Sequence, residues 1–275
     1  MYFFLFPIMH HRQKIIDTAA VKIGSAGLEN DEGHLDVSSV ASISRQLAIV
    51  RKHIARLGFV SSGAVPTGRD VYGYEKQDDE DLATLQMYAS AGQPVLFMHY
   101  LQELQKQEYV CVANQVLLTH SDMDSRLRLR NLRRLLRKIF QDRVPGIPIF
   151  NENDTVAVKE FKFDNDLLTG DVARLIGAQR VLFLMNAPGI LEDLHDRESV
   201  IKEIPFGSTA HRKHFQNGTS KNGRGGIWSK DRVAAMLAHH GIESVIAFAH
   251  EPDVIPRVLL DKEPIGTRYL LAEDS

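Results

Sequence analysis

Apolar residues along this chain recur with two periods that replace each other repeatedly. Ile15 to Ile23 is a largely apolar run that ends on Gly24, which reads as a buried strand. After a polar turn over Glu29 to Gly33, Val40, Ile43, Leu47 and Val50 fall three or four apart. That spacing predicts a helix capped by Asp36 or Ser38 and ending near His53. Ile54 to Val60 returns to a short β-branched run and stops at Ser61-Ser62-Gly63-Ala64, as a strand feeding a glycine turn does. Helices are predicted over Glu80 to Ala91, Pro94 to Gln107 and Met123 to Phe140, with a strand over Val110 to Thr119. Ile147 to Phe150, Val181 to Leu184 and Ser244 to Ala249 supply further strands, separated by helices over Leu168 to Ile176 and Lys230 to His240.

Strands alternating with helices predict an α/β fold with a mainly parallel sheet covered on both faces. Ligands of such sheets gather outside the carboxyl ends of the strands. Three polar clusters fall at predicted strand ends or helix starts: Lys22-Ile23-Gly24-Ser25, Asn151-Glu152-Asn153-Asp154 and Gly223-Arg224-Gly225-Gly226-Ile227-Trp228-Ser229-Lys230. Their placement predicts one phosphate-handling site.

Composition narrows the partners. The 275 residues, 44% hydrophobic and 25% charged, suit one large domain or two closely packed lobes. A net charge of -2, from 33 basic and 35 acidic residues, gives no bulk attraction to a polyanion, so phosphate recognition has to be local. A single cysteine, Cys111, excludes an internal disulfide framework and fits a reducing cytoplasm. Met1 to Met9 is apolar but falls far short of the roughly 20 residues of a membrane span, and Pro7 breaks it. Neither a basic n-region nor a cleavage site surrounds it. Residues 1–14 are expected to be an N-terminal extension rather than a membrane anchor.

Each candidate has a bland reading beside the functional one. Lys22 precedes a glycine where an anion could approach the backbone, yet a surface lysine beside a turn is commonplace. Gly225 to Lys230 opens a helix, whose amides and dipole favour phosphate, but it does not match the Walker pattern. Asn151 to Asp154 and Asp164-Asn165-Asp166 repeat an amide-carboxylate theme that ordinary turn chemistry also produces. Ser62 lacks the Gly-x-Ser-x-Gly surroundings of a nucleophile and suits a binding loop. The arginines of Arg126 to Lys138 are expected on the solvated side of a helix whose apolar face is Leu127, Leu132, Leu135, Leu136 and Ile139. His10-His11, His211-x-x-His214 and His239-His240 lack acidic or cysteine partners at ligand spacing and read as surface histidines.

Taken together, these motifs in this order resemble the glutamate 5-kinases of the amino acid kinase family. The run Asn151-Glu152-Asn153-Asp154-Thr155-Val156-Ala157 is the most diagnostic piece, beside Ser61 to Ala64, Gln115 to Thr119 and Gly225-Gly226-x-x-Ser229-Lys230. The likeness covers about residues 15 to 270. It implies an αβα sandwich that uses ATP and Mg2+ and transfers the γ-phosphoryl group to the side-chain carboxylate of L-glutamate, the first step of proline synthesis. In that frame Lys22 and Lys230 stabilise the moving group, Gly24 offers a backbone amide, and Asp166 orients both lysines. Asp154, Asn165 and Ser62 face the amino acid. Lys22, Gly24, Met185, Asn186, Arg224, Gly225, Gly226, Ile227 and Lys230 form the nucleotide side.

The resemblance also implies an acceptor-binding lobe over about 15–170 and a nucleotide-binding lobe over about 171–270. It implies a dimer or tetramer and raises proline as a feedback inhibitor. Met185-Asn186 stands where the family usually has a Thr-Asp pair, Arg224 replaces a small hydroxyl residue, and no RNA-binding PUA domain is expected within the chain. A kinase for another acid acceptor, a weakened binding or regulatory homologue, and a nucleic-acid module built on the arginine-rich helix remain as alternatives.

Overall fold

The computed structural model describes residues 16–77, 79–156, 164–215 and 226–274. Eight strands form one sheet: β1 (Thr18–Ile23), β2 (Arg56–Val60), β3 (Val112–Leu118), β4 (Gly146–Glu152), β5 (Arg180–Met185), β6 (Glu203–Ile204), β7 (Glu243–Phe248) and β8 (Thr267–Tyr269). Their order is β3-β4-β2-β1-β5-β7-β8-β6, and all neighbours are parallel except β7 and β8. The helices are α1 (Val37–His53), α2 (Ala64–Tyr72), α3 (Leu82–Gln105), α4 (His120–Asp124), α5 (Arg126–Gln141), α6 (Asn165–Ile176), α7 (Ile227–His239) and α8 (Val254–Leu259).

The sheet separates two cores, as the period-2 alternation of its strands requires. Val21, Ile23, Leu57, Phe59, Ile149, Leu182 and Leu184 face α1, α3 and α8. Ala20, Val60, Phe150, Val181 and Phe183 face α5, α6 and α7. The central strands are almost wholly buried, which is why they read as continuous apolar runs. The result is the expected three-layer αβα sandwich. Its chain order reverses at β1, with β2 on one side and β5 on the other, so the carboxyl ends of these strands flank the natural ligand crevice.

Several local expectations need correction. The stretch after Gly63, for which no element was predicted, is helix α2. Gly63, at φ 106°, makes the turn into it. Gly68 and Gly92 let α2 and α3 cross in backbone contact: a Cβ on Gly68 would stand 1.9 Å from the Tyr88 carbonyl oxygen, and one on Gly92 2.0 Å from that of Ala64. The two helices expected on either side of Pro94 are one, α3. The carbonyl that a mid-helix proline leaves unbonded is that of Ser90, an exposed residue that water can serve. The expected Met123–Phe140 helix is interrupted at Ser125, whose extended backbone ends α4 and whose hydroxyl caps α5. Of the five apolar positions assigned to the face of α5, Leu132, Leu136 and Ile139 are buried, whereas Leu127 and Leu135 are exposed. Asp36, not Ser38, caps α1. Met1 to Met9 lies outside the described residues, and among those described no helix is long and apolar enough to cross a membrane.

Candidate active site

Lys22 occupies the alternate position to Val21 and Ile23, so its side chain enters the layer of α6 and α7. Its neighbours across the ladder are Val60 on β2 and Phe183 on β5. Asp166 is the second residue of α6, and Lys230 lies in the first turn of α7. Asp166 Oδ1 is 2.8 Å from Lys22 Nζ, and its Oδ2 is 3.1 Å from Lys230 Nζ. All three side chains are at most 5% exposed. One carboxylate thus joins two ammonium groups, leaving one positive charge in excess at the carboxyl ends of the parallel strands. Burial, reinforced by the charge of Lys22, lowers the Lys230 pKa to about 8 against the opposing pull of Asp166.

Asp164 fastens the two helices at this point. Its carboxylate accepts from the Asp166 amide at 2.9 Å, capping α6, and also from the Ser229 hydroxyl on α7. Gly24 departs from expectation, because its amide donates to the Leu184 carbonyl at 3.3 Å rather than standing open for phosphate. A Cβ there would sit 3.6 Å from Lys22 Nζ, at ordinary van der Waals contact. Gly226 caps α7 with extended backbone, and Ile227 begins the helix. Met185 and Asn186 lie at the end of β5 beside Lys22's strand, half-buried and exposed respectively. Arg224 and Gly225 lie outside the described residues.

Next to the charged group is a neutral one. Asn165 Nδ2 donates towards the Ser61 carbonyl at 3.2 Å, Ser62 Oγ at 2.9 Å and Asn151 Oδ1 at 2.9 Å. Asn151 in turn donates to Gln93 Oε1 at 2.7 Å. The Asn165 Oδ1 acceptor is buried without a hydrogen-bond partner. Behind this mesh, Ser61 Oγ and Tyr100 OH are 3.0 Å apart, and burial pushes the Tyr100 phenol up. Asp154 opens a single 3-10 turn and, with Gln93, Gln115 and Glu152, lines a cavity of about 190 Å³ between α3 and the ends of β3 and β4. Lys22, Asp166 and Lys230 therefore meet directly, Ser62 and Asn165 meet beside them, and Asp154 lies apart, sharing with Gln93 the lining of the neighbouring cavity.

Asn151 and Gln93 were not singled out individually from the sequence. Asn151 lay inside a recognised cluster, whereas an amide within a helix offers no signal of its own. His211 needs outright correction. It is buried, with Nε2 2.5 Å from Asp231 Oδ1, and Asp231 also accepts from Arg212 at 2.8 Å and Tyr269 at 2.8 Å. Its acidic partner lies twenty residues away in sequence, beyond the reach of spacing rules. Among the described residues no group of three or more His, Cys, Asp or Glu side chains could hold a metal ion.

The model of the amino acid kinase family matches residues 17–247, a span that contains every element of this site. The chain belongs to the amino acid kinase family. Among its relatives, a glutamate 5-kinase from Teredinibacter turnerae is 36% identical over 262 residues, covering 90% of this chain and 69% of the relative. A second, from Burkholderia multivorans, is 34% identical over 254 residues, covering 91% and 67%. Solved structures agree on the fold alone. A UMP kinase from Bacillus anthracis superposes with a TM-score of 0.62 at 13% identity, over 93% of this chain and 96% of that one. An isopentenyl phosphate kinase gives 0.61 at 17% identity, over 92% and 100%.

Proposed function

We propose that this member of the amino acid kinase family is a glutamate 5-kinase, transferring the γ-phosphoryl group of ATP to the side-chain carboxylate of L-glutamate to give L-glutamyl 5-phosphate, the first step of proline synthesis. The observation that carries the reading is the buried pair Lys22 and Lys230 sharing Asp166, in a chain whose relatives across nine-tenths of its length are glutamate 5-kinases.

The chemistry suits the residues. A carboxylate acceptor is already ionised at neutral pH, so no general base is required. What the reaction needs is position and charge, because the phosphoryl group carries spread negative charge in the transition state. Lys22 and Lys230 supply two donors in a site from which water is largely excluded, where each is stronger than in bulk solvent. Asp166 holds both ammonium groups apart at fixed positions and keeps their mutual repulsion in check. A magnesium ion held by the nucleotide phosphates and water would neutralise part of the phosphate charge. Asn165, Ser62 and Asn151 offer the directed neutral contacts that orient an amino acid, and Asp154 suits its α-ammonium. The nucleotide side falls to Met185, Asn186, Arg224 to Ile227 and both lysines. The reading brings with it a cytoplasmic dimer or tetramer, with proline to be tried as an inhibitor.

Acyl phosphate formation, trapped as hydroxamate with ATP and magnesium, tests the proposal. Glutamate should give product, while aspartate and N-acetylglutamate should give much less. Equal rates with N-acetylglutamate would remove the role of Asp154, and no product from folded protein with any acid would overturn the reading.

A further inference from the structure

At the opposite end of the sheet from Lys22 lies a cavity of about 430 Å³ that the catalytic reading leaves unused. Arg133 and Arg137, one turn apart on α5, and Arg56, which begins β2, stand around it, while Leu136, Phe140 and Ile176 supply apolar surface. No carboxylate lines it. Among the described residues Arg133 and Arg137 have no ion pair, and Arg56 has only Asp17 at 3.8 Å, with both partners exposed. Like charges four apart on a helix repel, and here a third guanidinium from another element joins them, offset only by the exposed Asp17 beside Arg56. Cavities of this size take small molecules, and the planar fork of arginine matches carboxylate, phosphate and sulfonate oxygens two at a time.

We infer that this cavity is a second ligand site, separate from the catalytic one, for a small organic anion with an aromatic or branched apolar body. The acid group sits among Arg56, Arg133 and Arg137, and the body lies on Leu136, Phe140 and Ile176. The apolar floor distinguishes this from a nucleic-acid surface, where a basic stripe would track a backbone without an apolar recess beneath it.

The test uses 8-anilinonaphthalene-1-sulfonate as the anionic probe and N-phenyl-1-naphthylamine as its uncharged counterpart, titrated by fluorescence into the full chain with saturating ATP and magnesium present. The sulfonate should bind with one site per chain. Its affinity should fall at least about tenfold in R133A/R137A, since two charge-assisted hydrogen bonds are lost. The neutral probe should bind both proteins alike. These arginines are exposed and lie away from Asp166, so circular dichroism and kinase rate should match wild type, and the result stands whether or not glutamate proves to be the acceptor. Sulfonate binding of equal strength in wild type and variant would overturn the inference. So would no binding at all, or a fall in sedimentation mass in the variant, which would make the face a contact between copies.

Discussion

The two halves of the site are built from opposite materials although Asn165 and Asp166 are consecutive residues on one helix turn. Asp166 anchors a dry ionic group of three charges, whereas Asn165 anchors a neutral mesh of amides and hydroxyls with one acceptor left open. Buried charge acts on whatever charge develops nearby, but it discriminates poorly between acids of similar shape. Directed neutral hydrogen bonds do the reverse, because a misplaced partner leaves a buried polar atom unsatisfied. The contrast assigns rate to one half and acceptor choice to the other.

Breaking the ionic half should have the largest effect. Lys230→Ala is expected to lower kcat by roughly a thousandfold, in line with removal of a preorganised transition-state donor, with little change in the KM for glutamate. A steady-state hydroxamate assay beside a thermal melt checks it, and a kcat within a fewfold of wild type would remove Lys230 from the chemistry.

Asp166→Asn should be nearly as costly by another route. It leaves two buried ammonium groups facing each other without the carboxylate they share, so stability should fall by about 3 kcal/mol, with a kcat loss of roughly a hundredfold. Denaturant unfolding measures the first part, and Asp166→Glu should recover more of it than Asn does.

Disturbing the neutral half should move a different quantity. Asn165→Ala is expected to raise the KM for glutamate by about tenfold to a hundredfold, the range of a hydrogen bond to a charged group, with a smaller change in kcat. Aspartate and N-acetylglutamate should lose less, narrowing the preference. A uniform loss across all three acids would mean that the mesh sets structure rather than choice.

The mildest test is pH. Because the Lys230 pKa is lowered to about 8, kcat/KM should decline about tenfold per unit once the pH passes that value. Stability should move the other way. Between about 8 and the ordinary lysine value of 10.5 the unfolded chain holds this proton while the folded one has released it, so this group alone makes the fold more stable as pH rises. In Lys230→Arg the decline above pH 8 should vanish, since guanidinium stays protonated.

Much of the architecture could be read from the chain because β1, β2, β4, β5 and β7 are buried on both faces and therefore short, apolar and sharply bounded. Helix α2 could not, since Gly63, Pro66 and Gly68 carry the local signature of a loop while Gly68 permits a helix crossing visible only in three dimensions. The last two strands at one side of the sheet, β8 and β6, are three and two residues long and leave almost no pattern. Within the site, Lys22, Asp166 and Lys230 were each weak alone. The order of their motifs singled them out, and the chain reversal at β1 brings them together. Gly24 illustrates the opposite limit, because its residue type suggested an open amide while the destination of that amide, the Leu184 carbonyl, depended on where β5 lay. Asn151 and Gln93, like His211 and Asp231, are pairings across long stretches of chain that no local rule foresees.

The Lys22–Asp166–Lys230 group also has a bearing on how activity is regained after unfolding. Its members come from the first strand, the middle of the chain and a late helix, so no continuous fragment of modest length contains them all. The site is complete only after β1 has paired with β5 and both α6 and α7 have docked, contacts of the long-range kind that form slowly. On refolding from denaturant, helical signal should therefore return before turnover does, and turnover itself becomes the reporter that the last distant contacts have closed.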